Sequence, residues 1–163
     1  MTIRVVIGNP NPGGRTTKVG EAVGRAVAEA RGGDEVVVHE LAEVAPHLFE
    51  WGNEKVAELG REVASADVNV FACPTYKATF TGLLKAFLDS FGQDGLAGTL
   101  AVPVMVGAAP QHALAPEVHL RPLLVELGAS VPTRGLYVLD SKLDALDETI
   151  GSWAKGAGPL LRR

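Results

Sequence analysis

The chain holds a single cysteine, Cys73, in 163 residues. One thiol excludes an intrachain disulfide and any metal site built from a cysteine cluster, and its ordinary role is that of a small buried hydrophobe. Aromatic residues make up only 6% of the sequence, and 15 Lys and Arg stand against 19 Asp and Glu, giving a net charge of -4. With no basic stripe and no interleaved aromatics, a nucleic-acid footprint is not expected. No run of ~18 apolar residues occurs and no charged-then-apolar leader opens the chain, so neither a membrane span nor an export signal is expected and the cytoplasm is the default location.

Familiar catalytic signatures are missing too. There is no Gly-x-Ser-x-Gly elbow, no His/Glu metal pairing at helical spacing, and no pair of carboxylates that the sequence places together. No side chain is therefore assigned as catalytic, no metal site is expected, and a cofactor must carry the chemistry. Gly-x-Gly-x-x-Gly is also absent. A near match to a P-loop fails at both ends, with Asn9 where the first glycine belongs and Arg15 where lysine belongs, which argues against an ATPase.

What is present is a 47% hydrophobic chain in which short apolar runs alternate with helical periods. A chain of this length can form one domain, residues 1–163, burying about 70% of its unfolded surface. Strands are expected at Ile3 to Gly8, Glu35 to Leu41, around Val68 to Phe71, at Thr99 to Gly107 and at Gly135 to Leu139. Between them, helical spacing appears from Val19 to Ala30, Asn53 to Ala64, Phe80 to Phe91, Leu114 to Leu127, and Leu143 to Leu160. Gly20 and Gly24 suit close packing on a sheet, as does Gly82, while Thr16 or Thr17 can cap the first helix. Pro122 is expected to kink the fourth helix or to mark a wide turn. Asp67 and Asn69 are expected to flank the third strand, and His39 to lie at the solvated end of the second.

Five strands alternating with helices predict a flavodoxin-like, doubly wound parallel sheet of order 2-1-3-4-5 in a three-layer sandwich. Ligands of such sheets bind at the carboxyl ends of the strands. Three polar segments fall there: Asn9 to Thr17, Pro74 to Thr79, and Gly107 to His112. The first joins turn residues to a helix N-terminus, a ready anion site whose candidate cations are Arg15, Lys18, Lys77 and Lys85. The aromatic loop holding Phe49 and Trp51 either packs on the core or covers a partner surface. Trp153 lies on the last helix's apolar stripe, which favours a core role over stacking on a ligand.

The stretch PTYKATFTGLLKAFLD, from Pro74 to Asp89, resembles the pattern Pro-x-Tyr-x-x-x-x-(small)-Gly-x-Leu-Lys-x-x-Leu-Asp of the NAD(P)H-dependent FMN reductases, and among them the subgroup that supplies reduced flavin to alkanesulfonate monooxygenases. Gly8, Pro10, Arg15, Thr16 and Thr17 match the family's first loop. Asn9 replaces its serine and Asn11 its first arginine. Gly107, Ala108, Ala109 and His112 occupy a third family segment, with the two alanines in place of glycines, and LRPLLVELGA from Leu120 to Ala129 resembles a further one.

The resemblance implies a phosphate end at Asn9, Pro10, Arg15, Thr16 and Thr17. It implies a ring edge at Pro74, Thr75, Tyr76, Lys77, Ala78, Gly107, Ala108, Ala109 and His112. FMN would be the flavin and NAD(P)H the hydride donor, with a flavin-dependent monooxygenase as recipient and a homodimer or homotetramer as the assembly. His112 can instead order its own loop. Two other activities fit the same fold: tightly held FMN reducing a quinone or azo compound, and a non-enzymatic flavin carrier.

Overall fold

The computed structural model describes residues 1–162. Strands β1 (Thr2–Ile7), β2 (Glu35–Glu40), β3 (Val68–Pro74), β4 (Leu100–Gly107) and β5 (Leu136–Leu139) form one parallel sheet of order β2-β1-β3-β4-β5. The helices are α1 (Arg15–Ala30), α2 (Glu54–Ala64), α3 (Gly82–Leu88), α4 (Arg121–Glu126) and α5 (Leu146–Leu161). This is the flavodoxin-like order expected from the alternation of apolar runs and helical periods.

Successive strand residues point to opposite faces, so each central strand feeds two cores. Val5, Ile7, Val70, Ala72 and Val104 pack with Val19 and Val23 of α1 and Ile150 of α5. Val6, Phe71, Cys73 and Met105 face the other way, toward Val63 of α2, Leu84 and Phe87 of α3, and Leu124 of α4. The α1 layer lies flush on the sheet because two of its residues lack side chains. A Cβ on Gly20 would sit 2.6 Å from Ile7 Cδ1, and one on Gly24 2.7 Å from Val5 Cγ2.

Several local expectations give way to tertiary contacts. The N-cap of α1 is Gly14, without a side-chain cap, and Thr16 and Thr17 lie buried inside the first turn. Asn69 sits within β3, fully buried, where its Nδ2 donates to Val63 O at 3.0 Å and ties the end of α2 to the sheet. A Cβ on Gly82 would meet nothing within 4 Å beyond its own helix; the close approach at α3 is made by Gly8, whose Cβ would fall 2.7 Å from Leu84 Cβ. His39 is mostly buried against Arg4 and Glu62, and burial pulls its pKa below the ordinary value despite the carboxylate. Along α5 the apolar stripe ends in Leu161 rather than Leu160, which is exposed.

Of the two forms expected at Pro122, the wide turn is the one found: Pro122 stands in the first turn of α4, which continues directly from a π-helical turn at Pro116–Leu120. Among the described residues no helix is long and apolar enough to cross a membrane.

Candidate functional site

Because β1, β3 and β4 are neighbours in the sheet, their carboxyl-end loops lie side by side. The first loop is held by Asn9, whose Oδ1 accepts from Asn11 N at 3.0 Å while Nδ2 donates to Thr16 Oγ1 at 3.3 Å. Asn9 thus shapes the loop as an Asx turn and is buried, whereas Pro10 is exposed. The first intrahelical bond of α1 runs from Lys18 N to Gly14 O, so the amides of Arg15, Thr16 and Thr17 precede the helical ladder. No acidic residue lies in that turn. Uncapped amides at the positive end of a 16-residue helix are donors suited to an anion.

The hydroxyls are less available than the sequence suggests. Thr17 Oγ1 donates to Glu40 Oε1 at 2.7 Å, and Gly13 N donates to the same oxygen at 3.0 Å. The guanidinium of Arg15 is largely exposed and reaches Asp140 Oδ2 at 3.3 Å. Carboxylates from the ends of β2 and β5 therefore engage the groups expected to meet a phosphate. Of the other candidate cations, Lys85 is paired with Asp89 at 2.6 Å, while Lys18 and Lys77 are exposed.

At the second segment Pro74 closes β3, and Thr75 N donates back to Val106 O at 2.7 Å. Tyr76 and Thr79 exchange backbone bonds of 2.9 and 3.1 Å around a tight turn. Lys77 at φ 52° and Ala78 at φ 66° both occupy left-handed space without being glycine, which costs roughly 1–2 kcal/mol each. The amide of Thr75 is thus spent on β4 and that of Tyr76 within the loop, so neither is free for a ligand. The amides of Lys77 and Ala78 make no backbone bond among the described residues. Strain held at a rim, with two donors left over, is a recurrent mark of a binding loop.

The second segment is fastened to the first. Thr81 caps α3, its Oγ1 accepting from Leu84 N at 3.1 Å and donating to Gly8 O at 2.6 Å. It is fastened to the third as well, through the Thr75–Val106 bond and around Gly107. A Cβ on Gly107 would overlap the Tyr137 hydroxyl and press on Thr75 Oγ1. Tyr137 donates to Ala109 O at 2.7 Å, and burial raises its pKa above the ordinary phenol value. Thr75 Oγ1, buried beside that phenol, makes no hydrogen bond of normal geometry.

Ala108 and Ala109 avoid positive φ, so replacing glycines there strains nothing. His112 closes a short 3-10 turn, its N donating to Ala109 O at 3.1 Å, and is half-buried.

Cys73 is fully buried and its thiol is pushed up to about 12 by desolvation, which makes it inert. A depression of about 330 Å³ lined by Pro110, Tyr137, Leu139 and Lys142 adjoins the third segment. A larger apolar groove of about 790 Å³ lies away from the rim, between α2 and the end of α3, with Phe49 and Trp51 exposed at its edge. Size favours the groove, but its lining offers few donors for a phosphorylated ligand, whereas the rim concentrates them. Glu40, Thr81, Tyr137 and Asp140 were not legible as site residues. Only Thr81, a hydroxyl ahead of an apolar helical period, carried a local signal.

A parallel sheet of order 2-1-3-4-5 with its polar loops at the carboxyl edge defines the flavodoxin-like class. Within that class the chain belongs to the NADPH-dependent FMN reductase family, whose model matches residues 1–144. It is similar to the NADH-dependent FMN reductase SfnE of Pseudomonas putida, with 32% identity over 141 residues that cover 76% of this chain and 75% of that protein. An FMN reductase (NADPH) of Pseudomonas putida KT2440 is 36% identical over 81 residues, which span half of this chain and 41% of the relative. Among solved structures, the apo form of the NADH:FMN oxidoreductase EmoB superimposes with a TM-score of 0.79 at 29% identity, covering 94% of this chain and 88% of the other.

Proposed function

We propose that the chain is an NAD(P)H:FMN oxidoreductase whose flavin lies across the three rim segments. One observation carries the reading: the uncapped N-terminus of α1 stands beside a strained turn whose Lys77 and Ala78 amides are left without backbone partners. The residues fit FMN in kind. The amides of Arg15, Thr16 and Thr17, with the Arg15 guanidinium, would hold the phosphate. Asn9 would fix the loop from behind, and Pro10 would shape its outer turn.

Lys77, Ala78, Ala108 and Ala109 would offer amides to the polar edge of the ring. Pro74, Thr75 and Gly107 would set the spacing of the two loops, and Tyr76 and His112 would border the ring. FMN, when bound, accepts hydride from the nicotinamide. The protein's part is to align the two rings and to direct N–H dipoles at the edge where negative charge develops. No side-chain acid is required for that transfer.

In the same reading the whole of residues 1–163 acts as one domain, in the cytoplasm where pyridine nucleotides are supplied. Reduced flavin passes to a partner monooxygenase, and a homodimer or homotetramer supplies the missing wall over the ring. The SfnE relative, itself an FMN reductase, supports the reaction. Steady-state oxidation of NADH and NADPH with and without added FMN tests it: oxidation should rise with FMN and saturate. Absence of flavin dependence, with no flavin retained by the purified protein, would contradict the assignment.

A further inference from the structure

Glu40 has no place in the motifs of the first loop, yet it touches that loop more than any other carboxylate. Its Oε1 accepts from both Gly13 N and Thr17 Oγ1, while its Oε2 is buried without a hydrogen-bond partner. No ion pair involving Glu40 occurs among the described residues. A glutamine could tether the loop through the same two bonds without placing a negative charge there. A buried carboxylate oxygen left unsatisfied carries a desolvation cost and calls for an explanation other than tethering.

We propose that Glu40 is a specificity-determining residue, an internal anion that competes with the flavin phosphate for the first loop and so limits discrimination between phosphorylated and unphosphorylated flavins. The inference rests on the flavin reading of the rim. Two donors that a phosphate could use are already engaged by a carboxylate, and each charge-assisted bond it would gain must first be released. The negative charge would also repel a dianionic phosphate drawn to the same loop, where screening is weaker than in bulk water. The consequence is a flavin that exchanges rather than one locked in by its phosphate, as suits an enzyme that hands on reduced flavin.

The test is equilibrium binding of FMN and of riboflavin, followed by flavin fluorescence, for the wild-type protein and for Glu40→Gln, with folding of both checked by circular dichroism. In the wild type, the affinities for FMN and riboflavin should lie within about tenfold of each other, since the phosphate gains little. Glu40→Gln keeps an oxygen acceptor for both loop donors, and should tighten FMN by about tenfold or more while moving riboflavin by less than about twofold. Inorganic phosphate should compete with FMN more strongly in the variant. A wild-type preference for FMN above about a hundredfold would overturn the proposal even if the variant failed to fold. So would an FMN-to-riboflavin ratio unchanged or lowered in Glu40→Gln. If neither flavin binds the folded wild type, the flavin reading itself fails, and the inference falls with it.

Discussion

The hydroxyl of Thr81 donates to the carbonyl of Gly8 at 2.6 Å, joining the first turn of α3 to the end of β1 across 73 residues of sequence. The same oxygen caps Leu84 N. One buried side chain thereby sets the distance between the loop read as the phosphate end and the loop read as the ring edge, and it anchors a helix of only seven residues.

Thr81→Val removes both bonds while keeping the shape. Loss of a cap and of a buried bond to a carbonyl should cost about 2–4 kcal/mol in urea unfolding. FMN affinity should fall as well, and Thr81→Ser should recover most of both losses. A Thr81→Val protein as stable as the wild type would show that the two bonds of Thr81 do not hold α3 to the end of β1.

Glycines in two helices should respond oppositely to alanine. Gly20→Ala must place a methyl 2.6 Å from Ile7 Cδ1 and 3.0 Å from Val5 Cγ1, an overpacking expected to cost about 1–3 kcal/mol. A Cβ on Gly60, inside α2, would meet nothing within 4 Å beyond its own helix, so Gly60→Ala should stabilise by up to about 1 kcal/mol through helix propensity. Thermal unfolding of the pair reads both signs directly.

This contrast also shows what could be read in advance. The α1 glycines were legible because they recur four residues apart on an apolar stripe, and the strand order followed from apolar runs alternating with helical ones. At Gly82, in an equally suggestive setting, a side chain would meet open space, and the close approach falls to Gly8, which no helical pattern marks. Glu40, Tyr137 and Asp140 act on partners brought near only by the fold: Thr17, Ala109 and Arg15. Periodicity reports which face a residue occupies. It does not report which distant carboxylate or phenol reaches a given loop, and for that reason the phosphate-end hydroxyls looked freer than they are.

Cys73 makes stability depend on alkaline pH. Its folded-state pKa is raised from 9.0 to about 12, so above pH 9 the unfolded chain gives up the thiol proton while the folded chain keeps it. Stability should therefore fall as pH rises from 9 toward 12, by about 1.4 kcal/mol per unit from this group, and Cys73→Ala should remove that component. In the native protein the thiol should resist aromatic disulfide reagents until denaturant is added.

The acid limb has a separate origin. Arg121 donates to Glu117 and to the carbonyls of Val131 and Thr133, and Glu117 also accepts from Gly135 N, so this pair fastens the π-helical turn to the segment entering β5. Arg121 above all holds the Glu117 carboxyl below its ordinary pKa. A depressed acid contributes stability that is present above the unfolded value of 4.5 and is lost as pH falls through the folded value. Glu117→Gln should flatten unfolding free energy against pH below 4.5, whereas Arg121→Ala should destabilise by about 2–4 kcal/mol at neutral pH, where the carboxylate and two carbonyls lose their donor, and by less once Glu117 is protonated.

Amide chemical shifts of nitrogen-15-labelled protein during FMN titration address the central claim most directly. The flavin reading predicts saturable shifts concentrated at Gly13 to Thr17, at Lys77 and Ala78, and at Ala108 and Ala109, with the α2–α3 groove silent. Shifts confined to that groove, around Phe49, Trp51 and Phe91, with the three rim segments unmoved, would contradict it.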